Sequence, residues 1–319
     1  MNILFLSLSP QLLKIHDHAI YNDLMRKFIS EGHEVYIMVP HERRIGKKTA
    51  LIHEKGIHLL GVKTLNVTQA SIIEKGIGQV LLEYQFKIAM KKYLSNIKFE
   101  IILYSTPPIT FTKVIKYAKR LNPNAIAYLM LKDIFPQNAV DINLLSKTGV
   151  KGLLYRLFRK KEKQLYKISD YIGCMSPANV EYIINNNPDV NPKKVEICPN
   201  SYENVEIQKM SEDAKIEIRK QYNLPTEKPI FIYGGNLGKP QSIPFLVECL
   251  KYNKDREDCH FVVVGNGTDY HLLESFMNFE NPKAVSLFRF LPKEDFDKLT
   301  NICDVGLIFL DYRFTIPNY

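Results

Sequence analysis

The chain has 319 residues, enough for two domains of ordinary size, and its 45% hydrophobic and 24% charged residues are typical of a globular protein. That composition excludes intrinsic disorder, collagen-like repeats and coiled coil, and no stretch approaches the ~18 uncharged apolar residues of a membrane-spanning helix. The net charge of +9 is unevenly divided: residues 1–200 carry 29 Lys and Arg against 16 Asp and Glu, and residues 201–319 carry 14 against 18. The five cysteines show no CxxC and no Cys/His metal spacing, which reads as reduced thiols of a cytosolic protein. The opening Met1-Asn2-Ile3-Leu4-Phe5-Leu6-Ser7 lacks the basic start and small-residue cleavage site of a signal peptide and reads instead as a buried first strand.

Ile3–Leu8 reads as a strand, Ala19 to Ser30 as a helix with Ile20, Leu24 and Phe28 on one face, and Val35–Val39 as a second strand. Gly32 suits the helix C-cap, and strand–helix–strand at this spacing predicts parallel pairing. Ile57–Val62 is a strand and Ile77 to Leu94 a long amphipathic helix. Ile101–Tyr104 is a strand ending at Ser105-Thr106-Pro107-Pro108. Thr112 to Leu121 is a helix, Ala125–Leu131 a strand, and Lys151 to Ser169 a basic helix. Tyr171–Met175 precedes Ser176 as N-cap and Pro177 at the first helical position. After the strand Val195–Cys198 the texture turns polar, and a boundary there gives domains of residues 1–199 and 200–319. A new cycle follows: strand Ile230–Tyr233, helix Ser242 to Lys251, strand His260–Val264, strand Ala284–Phe288, helix Lys293 to Ile302, strand Val305–Leu310. Two such α/β halves predict two Rossmann-like domains with a cleft between them and ligands at the carboxyl ends of the strands.

The strongest strand-end segment is Tyr233-Gly234-Gly235-Asn236-Leu237-Gly238-Lys239-Pro240-Gln241. It is either a tight strand-to-helix turn or a diphosphate cradle. In a cradle the glycines admit the ligand, the following helix offers free N–H groups, and Lys239 adds a charge. It is neither a Walker A loop nor a GxGxxG fingerprint. Gly265-Asn266-Gly267 is a weaker signal of the same kind. In the first half His18 is a surface histidine or a contact for a phosphate or sugar hydroxyl. Asp133 is a cap or a partner of Lys132, or else a carboxylate that orients a hydroxyl or acts as base. Asp295-Phe296-Asp297 has the Asp-x-Asp form of a metal–diphosphate site. At a helix start, however, its carboxylates serve the dipole and point apart, so no metal is assigned. The basic groups Lys113-Lys116-Lys119-Arg120 and Arg156-Arg159-Lys160-Lys161-Lys163 are solvated helix faces or contacts for an anionic surface. No nucleic-acid-binding pattern is present.

These residues together resemble the retaining glycosyltransferases of family 4, and within them the bacterial capsule and O-antigen branch. The resemblance rests on Glu31-Gly32-His33-Glu34-Val35, Glu42-Arg43-Arg44, Asp133-Ile134-Phe135-Pro136, Cys198-Pro199-Asn200, the 233–241 segment, Val264-Gly265-Asn266-Gly267 and Cys303-Asp304-Val305-Gly306. It implies the GT-B fold, in which the second domain holds a UDP- or GDP-sugar through Gly234, Gly235, Asn236, Lys239, Gln241, Gly265 and Gly267. Phe290 and Leu291 would lie beside the base. Asp133 and His18 would serve the acceptor side, and no cofactor or metal is required. The acceptor would be a lipid-diphosphate-linked saccharide at the inner face of the cell membrane, with the basic half meeting anionic lipid. The family's Glu-x7-Glu element would lie past the last predicted strand, so the resemblance implies a second domain incomplete at Tyr319. The rival expectations are a nucleotide-sugar epimerase of the same fold and a non-catalytic partner subunit.

Overall fold

The computed structural model describes residues 1–67, 72–204 and 210–314. The chain divides into two compact units, Met1–Asn204 and Val205–Phe314. The closing segment and part of the polar linker, residues 205–209 and 315–319, lie outside the described residues.

The first unit is built on an eight-stranded sheet. Its strands are β1 (Asn2–Leu6), β2 (Glu34–Glu42), β3 (Ala50–Glu54), β4 (Ile57–Thr64), β5 (Ile101–Ser105), β6 (Ile126–Leu131), β7 (Tyr171–Cys174) and β8 (Val195–Ile197). Their order is β3-β4-β2-β1-β5-β6-β7-β8, parallel throughout except for the antiparallel edge strand β3. The helices are α1 (Ile20–Ser30), α2 (Ile72–Tyr93), α3 (Thr112–Leu121), α4 (Gln137–Asp141), α5 (Gly149–Ile168) and α6 (Pro177–Asn186). One sheet face packs α2, α3, α5 and α6 through Leu82, Phe86, Met90, Val114, Ile115 and Leu165. The other packs α1 on Phe5, Val35, Ile37 and Val39 through Met25, Leu24 and Phe28.

Two boundaries follow local chemistry read from the sequence. Gly32 adopts φ +81°, its N–H donates to Ile29 O at 2.9 Å and the His33 N–H to Phe28 O at 3.1 Å. This doubly bonded left-handed cap ends α1 and turns the chain into β2. At α6 the Ser176 side chain accepts from the Asn179 N–H, with Pro177 in the first turn. The sequence reading missed β3. It is a short, mostly exposed edge strand folded back on β4 through Gly56, at φ +73°, and it has no apolar alternation to mark it.

The second unit has a parallel sheet β11-β10-β9-β12, formed by β9 (Ile230–Asn236), β10 (His260–Asn266), β11 (Val285–Phe288) and β12 (Val305–Gly306). Around it lie α7 (Glu212–Gln221), α8 (Ile243–Asn253), α9 (Tyr270–Glu280) and α10 (Lys293–Asn301). The final strand is shorter than the predicted 305–310, because only Val305 and Gly306 find partners on β9. Arg219, buried on α7, ties this unit together. It donates to the carbonyls of Ile302, Thr226 and Lys228 and pairs with Asp304 at 3.0 Å, while Asp304 also accepts from the Ile230 N–H at 2.7 Å. Among the described residues no helix is long and apolar enough to cross a membrane.

Phe86 is fully buried, its ring 5.2 Å from that of Phe111, whereas Ile88 on the same helix is 68% exposed. Phe86→Ala should lower the unfolding free energy by about 3–5 kcal/mol, and Ile88→Ala should change it by less than about 0.5 kcal/mol, as read by urea denaturation.

Candidate nucleotide-sugar site

Because every neighbouring pair in the second sheet is parallel, its strands all deliver their carboxyl ends to one edge. β9 does not stop at Tyr233 but runs through Gly234, Gly235 and Asn236. These pair in register with Val264, Gly265 and Asn266 of β10. The two glycine segments singled out in the sequence are therefore adjacent strand ends. Beyond the ladder the Leu237 N–H donates to Asn266 O at 3.0 Å, and the Asp269 N–H donates to Leu237 O at 2.9 Å.

The glycines divide by role. A Cβ on Gly265 would lie 2.0 Å from the Gly235 carbonyl oxygen, and one on Gly267 would lie 2.2 Å from that of Leu237. These two positions let one loop lie against the other. Gly235 is exposed, and a Cβ there would meet only the Tyr233 hydroxyl at 3.8 Å, so its open side is available to a ligand. Gly234 is exposed too, but a Cβ there would strike the ring of Phe296 at 2.5 Å. That ring explains the Asp295-Phe296-Asp297 segment: its aromatic residue packs on the strand end. Its carboxylates pair along α10, Asp297 with Lys293 at 2.6 Å and Asp295 with Lys298 at 3.6 Å.

The connection to α8 differs from a direct strand-to-helix turn. Lys239, Pro240 and Gln241 form one 3-10 turn, and Ser242 at φ 50° precedes the helix. Asn236 Nδ2 donates to Gln241 Oε1 at 2.7 Å, and the Tyr233 hydroxyl donates to Asn236 O at 2.8 Å. These bonds fix the rim. The Lys239 side chain is exposed, and among the described residues no ion pair or hydrogen bond engages its ammonium. At the end of β11, Phe290 is 76% exposed, Leu291 packs on the core, and the Arg289 guanidinium lies 5.0 Å from the Tyr270 ring centre. The edge thus offers glycine backbone, one unengaged cation and an exposed aromatic ring, the groups suited to a diphosphate and a flat base.

In the first unit the strand ends carry Ser105 and Thr106 after β5, and Lys132 and Asp133 after β6. The Thr106 hydroxyl accepts from the Lys132 N–H at 3.0 Å and from the Asp133 N–H at 3.3 Å, and so fixes that corner. Burial pushes the Asp133 carboxyl above the usual carboxylate range and the neighbouring Lys132 ammonium below the usual lysine range. Lys132 Nζ is buried with no hydrogen-bond partner. The Tyr21 hydroxyl is likewise held above its ordinary range, chiefly by its own burial, with the Asp133 charge adding to it. Lys132 and Tyr21 were missed in the sequence. Lys132 had a usable signal, its place beside Asp133 at a strand end, whereas Tyr21 had none.

His18 belongs to a different group. Its Nδ1 lies 3.3 Å from Arg26 Nη2, 3.6 Å from Asp23 Oδ1 and 3.8 Å from Glu203 Oε2. The three potential ligand atoms of His18, Asp23 and Glu203 lie within 4.8 Å of one another. Arg26 already bridges them, at 2.6 Å from Asp23 and 2.7 Å from Glu203. Hydrogen bonds from the Glu203 and Ala19 amides and the Arg26 charge outweigh burial and hold the Asp23 carboxyl below its ordinary range. No bond in the structure joins His18 to Asp133.

The family model described as Glycosyl transferases group 1 matches residues 214–309, the segment that carries this strand edge. A search of curated proteins returns no match. Solved structures similar to this chain include the catalytic domain of starch synthase IV from Arabidopsis thaliana bound to ADP and acarbose (14% identity, TM-score 0.66, covering 97% of this chain and 78% of that one). HepE of Anabaena in complex with UDP and glucose is similar at 12% identity and TM-score 0.63, covering 97% and 74%. Trehalose-6-phosphate synthase OtsA is similar at 10% identity and TM-score 0.64, covering 97% and 78%. The chain has the GT-B fold.

A carboxyl whose folded-state pKa is raised makes the native state bind more protons than the unfolded one. Stability then falls as pH rises from the ordinary carboxylate value of about 3.9 through the raised value, and stays lower above it. Asp133→Asn should remove that fall and leave the protein at least as stable as the parent at pH 7 in thermal unfolding across pH. A variant less stable at pH 7 would show that a favourable partner holds the carboxylate.

Proposed function

We propose that the protein is a retaining glycosyltransferase of family 4. It moves a sugar from a UDP- or GDP-sugar to a lipid-diphosphate-linked saccharide, in capsule or O-antigen synthesis, at the inner membrane face. The observation that carries the reading is the register of β9 on β10. It sets Gly235, four residues before an exposed Lys239, side by side with Gly265, within the segment matched by the glycosyl transferase family model. ADP and UDP in the similar structures support a nucleoside diphosphate as the ligand of such an edge.

The chemistry follows from where charge develops. Sugar transfer releases a nucleoside diphosphate, whose leaving oxygen gains negative charge. Fixed N–H groups and a lysine placed there lower that barrier without reorganising. In this reading Lys239 and the open backbone face of Gly235 take the diphosphate, Phe290 and Leu291 lie beside the base, and the Asn236–Gln241 bond holds the rim in place. No metal is assigned a part. On the acceptor side Asp133, whose raised pKa suits a proton acceptor, would orient the attacking hydroxyl, with His18 contacting the acceptor's sugar or phosphate.

Lys239→Ala should weaken UDP binding about tenfold to a hundredfold, the effect of losing one charge-assisted hydrogen bond, as read by titration calorimetry. Unchanged affinity would reduce the segment to a turn. Incubating labelled UDP-sugar with and without acceptor separates transfer from epimerisation, since an epimerase would alter the sugar unaided.

A further inference from the structure

The amino-terminal edge of the first sheet carries a group of side chains that the proposed transfer does not use. Strand β4 begins there, and β3 folds back on it through the turn at Gly56, which sets His53 directly opposite His58. The two Nδ1 atoms lie 2.7 Å apart, and the rings meet edge-on at 71° with centres 4.9 Å apart. His58 is fixed from two further directions. Its Nε2 lies 2.8 Å from Glu34 Oε2 at the start of β2, and its ring stacks on Tyr36 at 4.2 Å. Tyr36 is itself braced by the edge of Phe99 at 5.3 Å. The His58 side chain is 17% exposed, whereas His53 stands exposed on the edge strand.

An ionised carboxylate only accepts, so His58 donates to Glu34 from Nε2. In neutral His58 that leaves Nδ1 as a lone pair aimed at His53, whose own Nδ1 proton fills the gap. A carboxylate on the far nitrogen is the arrangement that fixes the tautomer and ring direction of histidine ligands in metal sites. Neutral imidazole suits zinc, copper and nickel. Two nitrogens on one zinc ion, each about 2.0–2.1 Å from it at a tetrahedral angle, sit roughly 3.3 Å apart. His53 would have to withdraw by less than about 1 Å, a movement open to an exposed side chain on a sheet edge. Among the described residues no lysine or arginine is hydrogen-bonded to His53, His58 or Glu34. The His18, Asp23 and Glu203 group differs in this respect, because the Arg26 guanidinium already occupies it. The other titratable pair nearby, His16 and Glu54 at 3.4 Å, lies on the opposite face of the hairpin, since successive strand residues alternate.

We propose that His53 and His58 bind a divalent transition cation of the zinc class through their Nδ1 atoms, with water completing the coordination and Glu34 supporting His58. On loading, the cation replaces the shared proton, which passes by exchange with water to the exposed Nε2 of His53. The cation then clips the mostly exposed edge strand β3 to β4 and closes the turn at Gly56. With two protein ligands the site is weaker than a closed four-ligand structural site. It lies at the opposite end of the strands from Asp133, and the inference is independent of the function proposed above.

The test is titration calorimetry of the full chain, free of any affinity tag and stripped with chelator, against zinc chloride. One equivalent should bind. His53→Ala and His58→Ala should each weaken binding by about tenfold or more, and Glu34→Gln by roughly tenfold to a hundredfold, the usual effect of removing a ligand's hydrogen-bonded support. His271→Ala on α9 should leave the affinity unchanged, with circular dichroism confirming the fold of each variant. Hydrogen exchange on the parent chain needs no substitution: zinc should slow the amides of residues 50–54 and leave those of α6 as they were. The proposal is overturned if zinc does not bind, or binds only as several weak equivalents on the surface. It is overturned equally if the His53→Ala/His58→Ala double variant or Glu34→Gln binds like the parent, if His18→Ala is the change that abolishes binding, or if exchange in β3 does not respond to zinc.

Discussion

The second unit depends on one backbone constraint, the parallel register that brings β9 and β10 to the same height and continues it through Asn236 and Asn266. Gly265 permits it, since any side chain there would collide with the Gly235 carbonyl, and Gly267 lets the Leu237 backbone pass. Leu237, fully buried, anchors the paired loops from below. The glycine loops thus spend part of their freedom on each other. What remains is the open side of Gly235 and the unengaged Lys239, which is where the proposed diphosphate chemistry is concentrated.

The first unit presents a different balance. Its strand edge holds a carboxyl and an ammonium, Asp133 and Lys132, that burial disfavours in their charged forms, and neither is paired with the other. Such tension costs folding stability and is a common mark of functional corners. The Arg26 cluster has the opposite character. There buried Asp23 gathers an arginine and two amides, and the Glu203 amide it holds fastens the end of this unit onto α1. His18 sits at the margin of that anchor, so its neighbours are those of a structural node as well as of a strand end.

Much of the architecture was legible because parallel α/β units write themselves twice, in apolar runs and in the punctuation between them. Gly32 and Ser176 marked their helix ends by chemistry that needs no tertiary context. The edge strand β3 escaped because exposed strands carry little pattern. Helices α7 and α9 escaped because their apolar faces are narrow, with Arg219 buried on the first and only Leu273 and Phe276 fully buried on the second. At the site, the sequence named both glycine segments but not their adjacency, which is a property of register. It named Asp133 but not the orphaned Lys132 ammonium, and it chose basic residues on α5 without showing that Arg159 is already spent internally. The sequence reading took α2 as amphipathic with one apolar face, whereas Ile77, Val80, Leu81, Tyr84 and Ile88 lie exposed on the side away from buried Leu82, Phe86 and Met90.

The most direct measurement is a crystal structure of the protein soaked with a UDP-sugar. The account predicts diphosphate density against the open face of Gly235, with Lys239 turned onto a phosphate oxygen and the base beside Phe290 and Leu291. A nucleotide bound away from the β9–β10 edge, or bound there with Lys239 disengaged, would contradict it.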